Sequence, residues 1–107
     1  MLEFSYRGDR WRCGYLIAPI LNEEDRGILL RGICDMYLDG GRDGTERKIE
    51  GERFDGRIKR IGYRTIESLI GGINFDVELR VAVPDGDVKD EMSVVVHKND
   101  PPYAPRN

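Results

Sequence analysis

Arginine and aromatic side chains cluster near the start of the chain and have the chemistry of a contact surface. Trp11 lies between Arg10 and Arg12, and Tyr6 and Arg7 come shortly before them. Arginine makes forked contacts to carboxylates and phosphates, and with aromatic residues it anchors protein interfaces or stacks on nucleic-acid bases. The alternative is that Trp11 begins a strand and packs in the core.

A second basic segment, residues 42–64, carries eight basic and five acidic side chains, a net charge of +3. It is either part of a contact surface or a solvated strand face with weak ion pairs. We include two of its arginines in the predicted contact set. The predicted binding residues are Tyr6, Arg7, Arg10, Trp11, Arg12, Arg53 and Arg57.

The only candidate nucleophile and base are a cysteine, Cys13 or Cys34, and the single histidine, His97. A thiol needs a nearby imidazole to act as a nucleophile at neutral pH, and nothing in the sequence brings these residues together. Phosphate-loop, HExxH, GxSxG and paired CxxC motifs are all missing. We therefore predict a protein that is not an enzyme and has no catalytic residues.

Two acidic turns are the only candidates for a metal site, one containing Asp39 and Asp43 and the other Asp85 and Asp87. Neither has the alternating ligand spacing of a calcium loop, and Asp-Gly pairs are common in ordinary turns. We predict no metal and no cofactor.

The composition is that of one small, turn-rich domain. The chain has 107 residues, of which 39% are hydrophobic, 35% are charged and 13 are glycine. A net charge of −3 disfavours a surface built wholly for nucleic acid. No apolar stretch is long enough to cross a membrane, and the start lacks a basic-then-apolar leader. We expect a cytoplasmic protein with two reduced thiols, or a disulfide under oxidising conditions if they face each other.

Alternation of apolar and polar residues predicts most of the strands. It is strictest in 75–83, which a Pro-Asp-Gly-Asp turn joins to 92–97 in an antiparallel hairpin. The other predicted strands are 2–7, 11–20, 28–38 after a polar loop, and a long strand from 46 to 61 interrupted near Asp55 and Gly56. Residues 65–72 fit either a helical turn or a strand.

These strands predict an all-β, antiparallel fold, a small barrel or sandwich, with a single domain over residues 1–98. The tail, 99–107, has three prolines and is expected to lie over the surface or be disordered.

The order of segments over residues 1–61 resembles WYL-type domains, which have SH3-like or Sm-like barrels and act as ligand-sensing modules in bacterial regulators. Tyr6 and Arg7 match the end of the first strand, Pro19 the second, and Arg53, Phe54, Arg57 and Ile58 approximate the last motif. The chain departs from the family at Tyr15, where an arginine is usual, and at 28–30, where Trp-Tyr-Leu is usual. The resemblance implies an SH3-like barrel, here with an extra C-terminal hairpin, and a nucleotide- or nucleic-acid-sensing role.

Taken together, these features favour a non-enzymatic binding module, a small regulatory or accessory protein of a bacterium or phage. It would engage another protein through its arginine and aromatic surface or through an edge strand, and a homodimer through the edge of the C-terminal hairpin is one form of this. The alternatives are nucleic-acid or nucleotide binding and a structural part of a phage or other assembly. No membrane partner is expected.

Overall fold

The computed structural model describes residues 2–13, 21–66 and 69–99, with no description of the side chains of 64–71. The described residues form six strands and one helix. They are β1 (Leu2–Tyr6), β2 (Asp9–Cys13), α1 (Glu23–Asp39), β3 (Glu46–Glu50), β4 (Phe54–Ile66), β5 (Leu69–Val83) and β6 (Gly86–Asn99).

All six strands belong to one antiparallel sheet in the order β1-β2-β6-β5-β4-β3. The predicted all-β, antiparallel class is confirmed. The sheet is open, with β1 and β3 at its two edges, and is not closed into a barrel.

Two tight turns join the strands of the β1–β2 and β5–β6 hairpins. Arg7 and Gly8 join β1 to β2 with φ angles of 53° and 83°, as a two-residue turn between twisted antiparallel strands requires. Pro84 and Asp85 join β5 to β6, with Val83 opposite Gly86. The C-terminal hairpin, the firmest expectation from alternation, is therefore confirmed.

The strand predicted at 28–38 and the loop before it were wrong, because both lie in the 17-residue helix α1. Asn22 caps the helix by accepting a hydrogen bond from the Asp25 amide at 2.8 Å, and Gly40 ends it with a φ of 64°. Positions such as 30, 34 and 38 would share one face of a strand, and they also share one face of a helix. The alternation there could not separate the two structures.

The long basic strand predicted at 46–61 is two strands, β3 and β4, joined by a bend at residues 51–53. The predicted interruption near Gly56 falls instead within β4, and a register shift occurs between Arg60 and Gly62. Residues 69–72 lie in β5, which fits the strand alternative for that segment. The predictions for 14–20 and for the tail beyond Asn99 lie outside the described residues.

β6 lies inside the sheet rather than at an edge over its last four residues, where Val96–Asn99 pairs with β2. Among the described residues, the rest of β6 pairs only with β5. The homodimer through the hairpin edge stays a prediction.

Helix α1 contributes to a core on one side of the sheet, which we call the inner face. Side chains of directly opposed residues share a face, so the register assigns each strand position to the inner or the outer face. Gly32 permits a close approach, since a Cβ there would lie 2.6 Å from Cδ1 of Ile49 on β3. The buried core includes Trp11, Cys13, Leu29, Ile33, Cys34, Ile58, Phe75, Val77, Val94 and Val96.

Candidate functional site

Trp11 belongs to the core and not to a surface. Its side chain is 0% exposed, Nε1 donates a hydrogen bond to the Tyr6 carbonyl oxygen at 3.1 Å, and the ring meets Tyr37 of α1 edge-on at 5.2 Å. The prediction that Trp11 touches a partner does not fit this burial. The core alternative does.

Tyr6 and Arg7 attach the first hairpin to the helix. The Tyr6 hydroxyl donates to Oδ1 of Asp35 at 3.0 Å, and Nη1 of Arg7 lies 3.2 Å from the same oxygen. Partial desolvation, and then the bond to Asp35, raise the pKa of the Tyr6 phenol. Both side chains thus have a structural partner within the fold.

Tyr6→Phe is expected to lower the free energy of unfolding by about 1 kcal/mol, because it removes one partly buried hydrogen bond and keeps the ring. Urea denaturation followed by circular dichroism measures this loss. Asp35→Asn, which leaves an acceptor oxygen, is the matched control and should cost less. A larger loss in Asp35→Asn than in Tyr6→Phe would show that the charge of Asp35, which also pairs with Arg7, and not its bond to Tyr6 holds the hairpin.

The predicted arginines other than Arg7 fall into two separate groups. Arg10 and Arg12 lie on β2, 3.9 and 3.8 Å from the carboxylate of Glu3. Arg57 lies on β4, three strands away, and strand spacings place it roughly 25 Å from Arg12. Arg53 lies in the bend before β4 and lines a small recess together with Asp55 and Arg80. The seven predicted residues therefore do not form one site.

His97 is separated from the Cys13 thiol by the sheet itself. His97 is opposite Arg12 on the outer face, whereas Cys13 is opposite Val96 on the inner face. Both cysteines are fully buried, and burial raises the pKa of each thiol to about 12; for Cys34 the neighbouring Cys13 adds to the effect. The described geometry gives neither thiol the imidazole and the ionised state that a nucleophile needs.

The outer face of β3, β4, β5 and β6 is the most distinctive surface of the described residues, and we call it the open face. Register places its side chains in three rows across the four strands, in the order β3 to β6. Every residue of the rows is exposed apart from Asp55, which is half-buried. Row 1 is Glu50, Asp55, Arg80 and Lys89; row 2 is Lys48, Arg57, Glu78 and Glu91; row 3 is Glu46, Lys59, Asp76 and Ser93.

Two ion pairs and one hydrogen bond, which Ser93 donates to Asp76 at 3.0 Å, link side chains of the open face to one another. Asp55 and Arg80 form an ion pair at 2.8 Å, which raises the pKa of the arginine. Arg57 reaches diagonally to Glu46 at 3.7 Å. Exposed pairs of this kind contribute little to stability, so the charges of the open face remain available to another molecule.

A shallow groove of about 700 Å³ crosses the open face from β3 to β6, with Gly56 at its floor. A smaller recess of about 240 Å³ lies beside it and shares Glu50, Asp55 and Arg80. The lining combines charged side chains of both signs with the apolar residues Ile49 and Leu79. The groove can therefore accept polar side chains of another protein, with ionic contacts of either sign.

Sequence reasoning missed the open face as a unit, although it predicted Arg57 within it. The signal was present as alternation in β5, where Asp76, Glu78 and Arg80 are the polar residues between buried ones. What the alternation did not give is the register between strands, which decides the charges that stand side by side.

No group of three or more His, Cys, Asp or Glu side chains is placed to hold a metal within residues 2–13, 21–66 and 69–99. The helix found in that same part of the chain is not long and apolar enough to cross a membrane. Comparison with protein-family models, curated proteins and solved structures finds no match.

Proposed function

We propose that this protein is a non-enzymatic binding module that engages another protein through the open face of its sheet. The observation that carries the proposal is an exposed face of four strands bearing charges of both signs around a groove of about 700 Å³. Helix α1 packs on the inner face, and the rows on the outer face stay accessible to solvent.

The mixture of signs favours a protein partner over nucleic acid. Binding to a phosphate backbone depends on clustered cations, and rows 1 and 2 contain as many acidic as basic residues. A patterned face of this kind selects its partner by electrostatic complementarity, which governs specificity and association rate more than affinity. The role is that of a small accessory or regulatory protein.

A pair of charge reversals on the open face tests the proposal. Glu78→Lys with Glu91→Lys makes the whole of row 2 basic and is expected to abolish capture of protein partners from cell lysate. The reversed charges would face the partner's own cations. Tagged protein bound at low salt, treated with nuclease and read by mass spectrometry gives the measurement.

The matched control is Glu24→Lys with Asp85→Lys, two exposed acidic residues on α1 and in the β5–β6 turn. It changes the net charge equally and should leave capture unchanged. Equal loss in both variants would mean that net charge alone drives binding. Captured material that disappears with nuclease would replace the proposal with nucleic-acid binding.

A further inference from the structure

Like charges stand directly opposite each other at the open face. Four cross-strand pairs in rows 1 and 2 join two residues of the same sign, between β3 and β4 and between β5 and β6. Directly opposed like charges destabilise a sheet, so this arrangement is not explained by stability of a single chain. The pairs are Glu50 with Asp55, Lys48 with Arg57, Arg80 with Lys89, and Glu78 with Glu91.

The signs nevertheless follow a simple rule. Row 1 reads negative, negative, positive, positive from β3 to β6, and row 2 reads the opposite. In these two rows, each charge on β4 is therefore opposite in sign to its neighbour on β5, and each charge on β3 is opposite in sign to the residue of the same row on β6. The pattern reverses sign across the line between β4 and β5.

A surface with this symmetry is complementary to itself. Consider a second copy related to the first by a two-fold axis that is parallel to the strands, midway between β4 and β5, and between the two facing sheets. The β5 strand of the second copy then lies over β4, and its β6 strand lies over β3. Every charge in rows 1 and 2 then faces the opposite charge. In row 3, Lys59 also faces Asp76 of the second copy.

We propose that the partner bound by the open face is a second copy of this chain, docked face to face about that two-fold axis. The inference rests on the open face being the binding surface, and it names the occupant. Two-fold contacts in which the same patch meets itself are the commonest form of homodimer. In row 1, Glu50 meets the second copy's Lys89 and Asp55 meets its Arg80.

The size of the face makes the dimer weak and sensitive to salt. Four strands and three rows cover roughly 20 by 20 Å, which is about half the area per partner of a standard specific interface. The contacts are exposed ion pairs, which salt screens. The groove gives room for the long side chains of both copies to interleave.

Sedimentation velocity of the purified chain provides the first measurement. We expect the weight-average mass to rise toward that of a dimer with concentration at about 0.05 M salt, and to fall back to the monomer at about 0.5 M. A monomer at every concentration and salt overturns the proposal.

Complementary variants then test the geometry. Arg80→Glu with Lys89→Glu makes row 1 wholly acidic, and Glu50→Lys with Asp55→Lys makes it wholly basic. Each variant alone is expected to lose at least tenfold in self-affinity, because like rows face each other. Mixed together, they should form a heterodimer, because an acidic row 1 faces a basic row 1. Circular dichroism establishes that both variants fold.

A control separates this geometry from general attraction between oppositely charged proteins. Arg31→Glu with Arg42→Glu lowers the net charge as much as the acidic variant does, at exposed sites away from the open face. It should still self-associate, and it should not pair with the basic variant better than the wild type does. Pairing as strong as that of the designed variants contradicts the proposed dimer.

These outcomes are independent of the test of function. A purified chain that stays monomeric, while capture from lysate still depends on row 2, leaves the binding function in place and refutes only the second copy as partner. Self-association that none of the row variants changes refutes the open face as the interface.

Discussion

Trp11→Ala is expected to lower the free energy of unfolding by about 3–5 kcal/mol, the usual cost of removing a large buried aromatic side chain. The ring has no exposed surface and packs edge-on against Tyr37, so β2 and α1 would both lose contacts. The indole nitrogen would no longer bond to the Tyr6 carbonyl. Urea denaturation followed by circular dichroism measures the loss as a lower midpoint at constant slope.

Trp11→Phe is the matched control for this prediction. It keeps an aromatic ring and loses the indole N–H, so it should cost less than the alanine variant. A loss of less than about 1 kcal/mol for Trp11→Ala would contradict a core role. Because Trp11 is the only tryptophan, blue-shifted fluorescence of the folded wild type, moving to longer wavelength on unfolding, reports its burial independently.

The burial of Trp11 also changes how binding variants are interpreted. If a Trp11→Ala protein binds nothing, the loss reflects a destabilised core and not the removal of a surface contact. Variants that test contact must therefore be made at exposed residues, such as Arg80 or Glu91, whose replacement leaves the core intact. The cluster around Trp11 that the sequence predicted as a contact surface divides between core, helix contact and outer face.

The alternation of apolar and polar residues predicted those parts of the fold in which one face of a strand is buried and the other is exposed to solvent. The first strand of the hairpin from Phe75 to His97 is the clearest case, because the odd-numbered positions from Phe75 to Val81 are buried and the even-numbered positions between them are exposed. Alternation failed at Leu30 and Cys34, because these residues would share one face of a strand and also lie about one helical turn apart. Asn22 and Gly40, which cap the helix, were the signals that could have decided the matter.

The open face could be predicted only in part. The two-residue turn at Pro84 and Asp85 fixes the register of β5 and β6, so the pairing of Arg80 with Lys89 follows once that turn is known. The register of β4 against β5 includes a shift between Arg60 and Gly62. No local sequence pattern predicts this shift. The reversal of sign between β4 and β5 is therefore a property of tertiary structure.

The two buried thiols are expected to make the fold sensitive to alkali. Burial raises the pKa of Cys13 and of Cys34 to about 12, from an ordinary value of 9.0. Below pH 8 both states keep their thiol protons and the thiols do not affect stability. As the pH rises above 9, the unfolded chain loses protons that the folded protein retains, so unfolding becomes more favourable.

The expected slope is a loss of about 1.4 kcal/mol per pH unit for each thiol, between pH 9 and the folded pKa. Urea denaturation at intervals from about pH 8 to pH 10.5 measures this loss as a falling midpoint. Since Cys34 also responds to Cys13, the two thiols should not contribute independently.

Cys13→Ala and Cys34→Ala, singly and together, separate the thiols from the lysines and tyrosines that titrate in the same range. Each variant is less stable at pH 7 but should lose stability less steeply above pH 9. Tyr6→Phe controls for the Tyr6 phenol, whose pKa is also raised. If the slopes of the wild type and the double variant agree, the thiols ionise alike in both states. Both cysteines would then be open to solvent, and the packing of α1 against β2 would have to be looser than the structure shows.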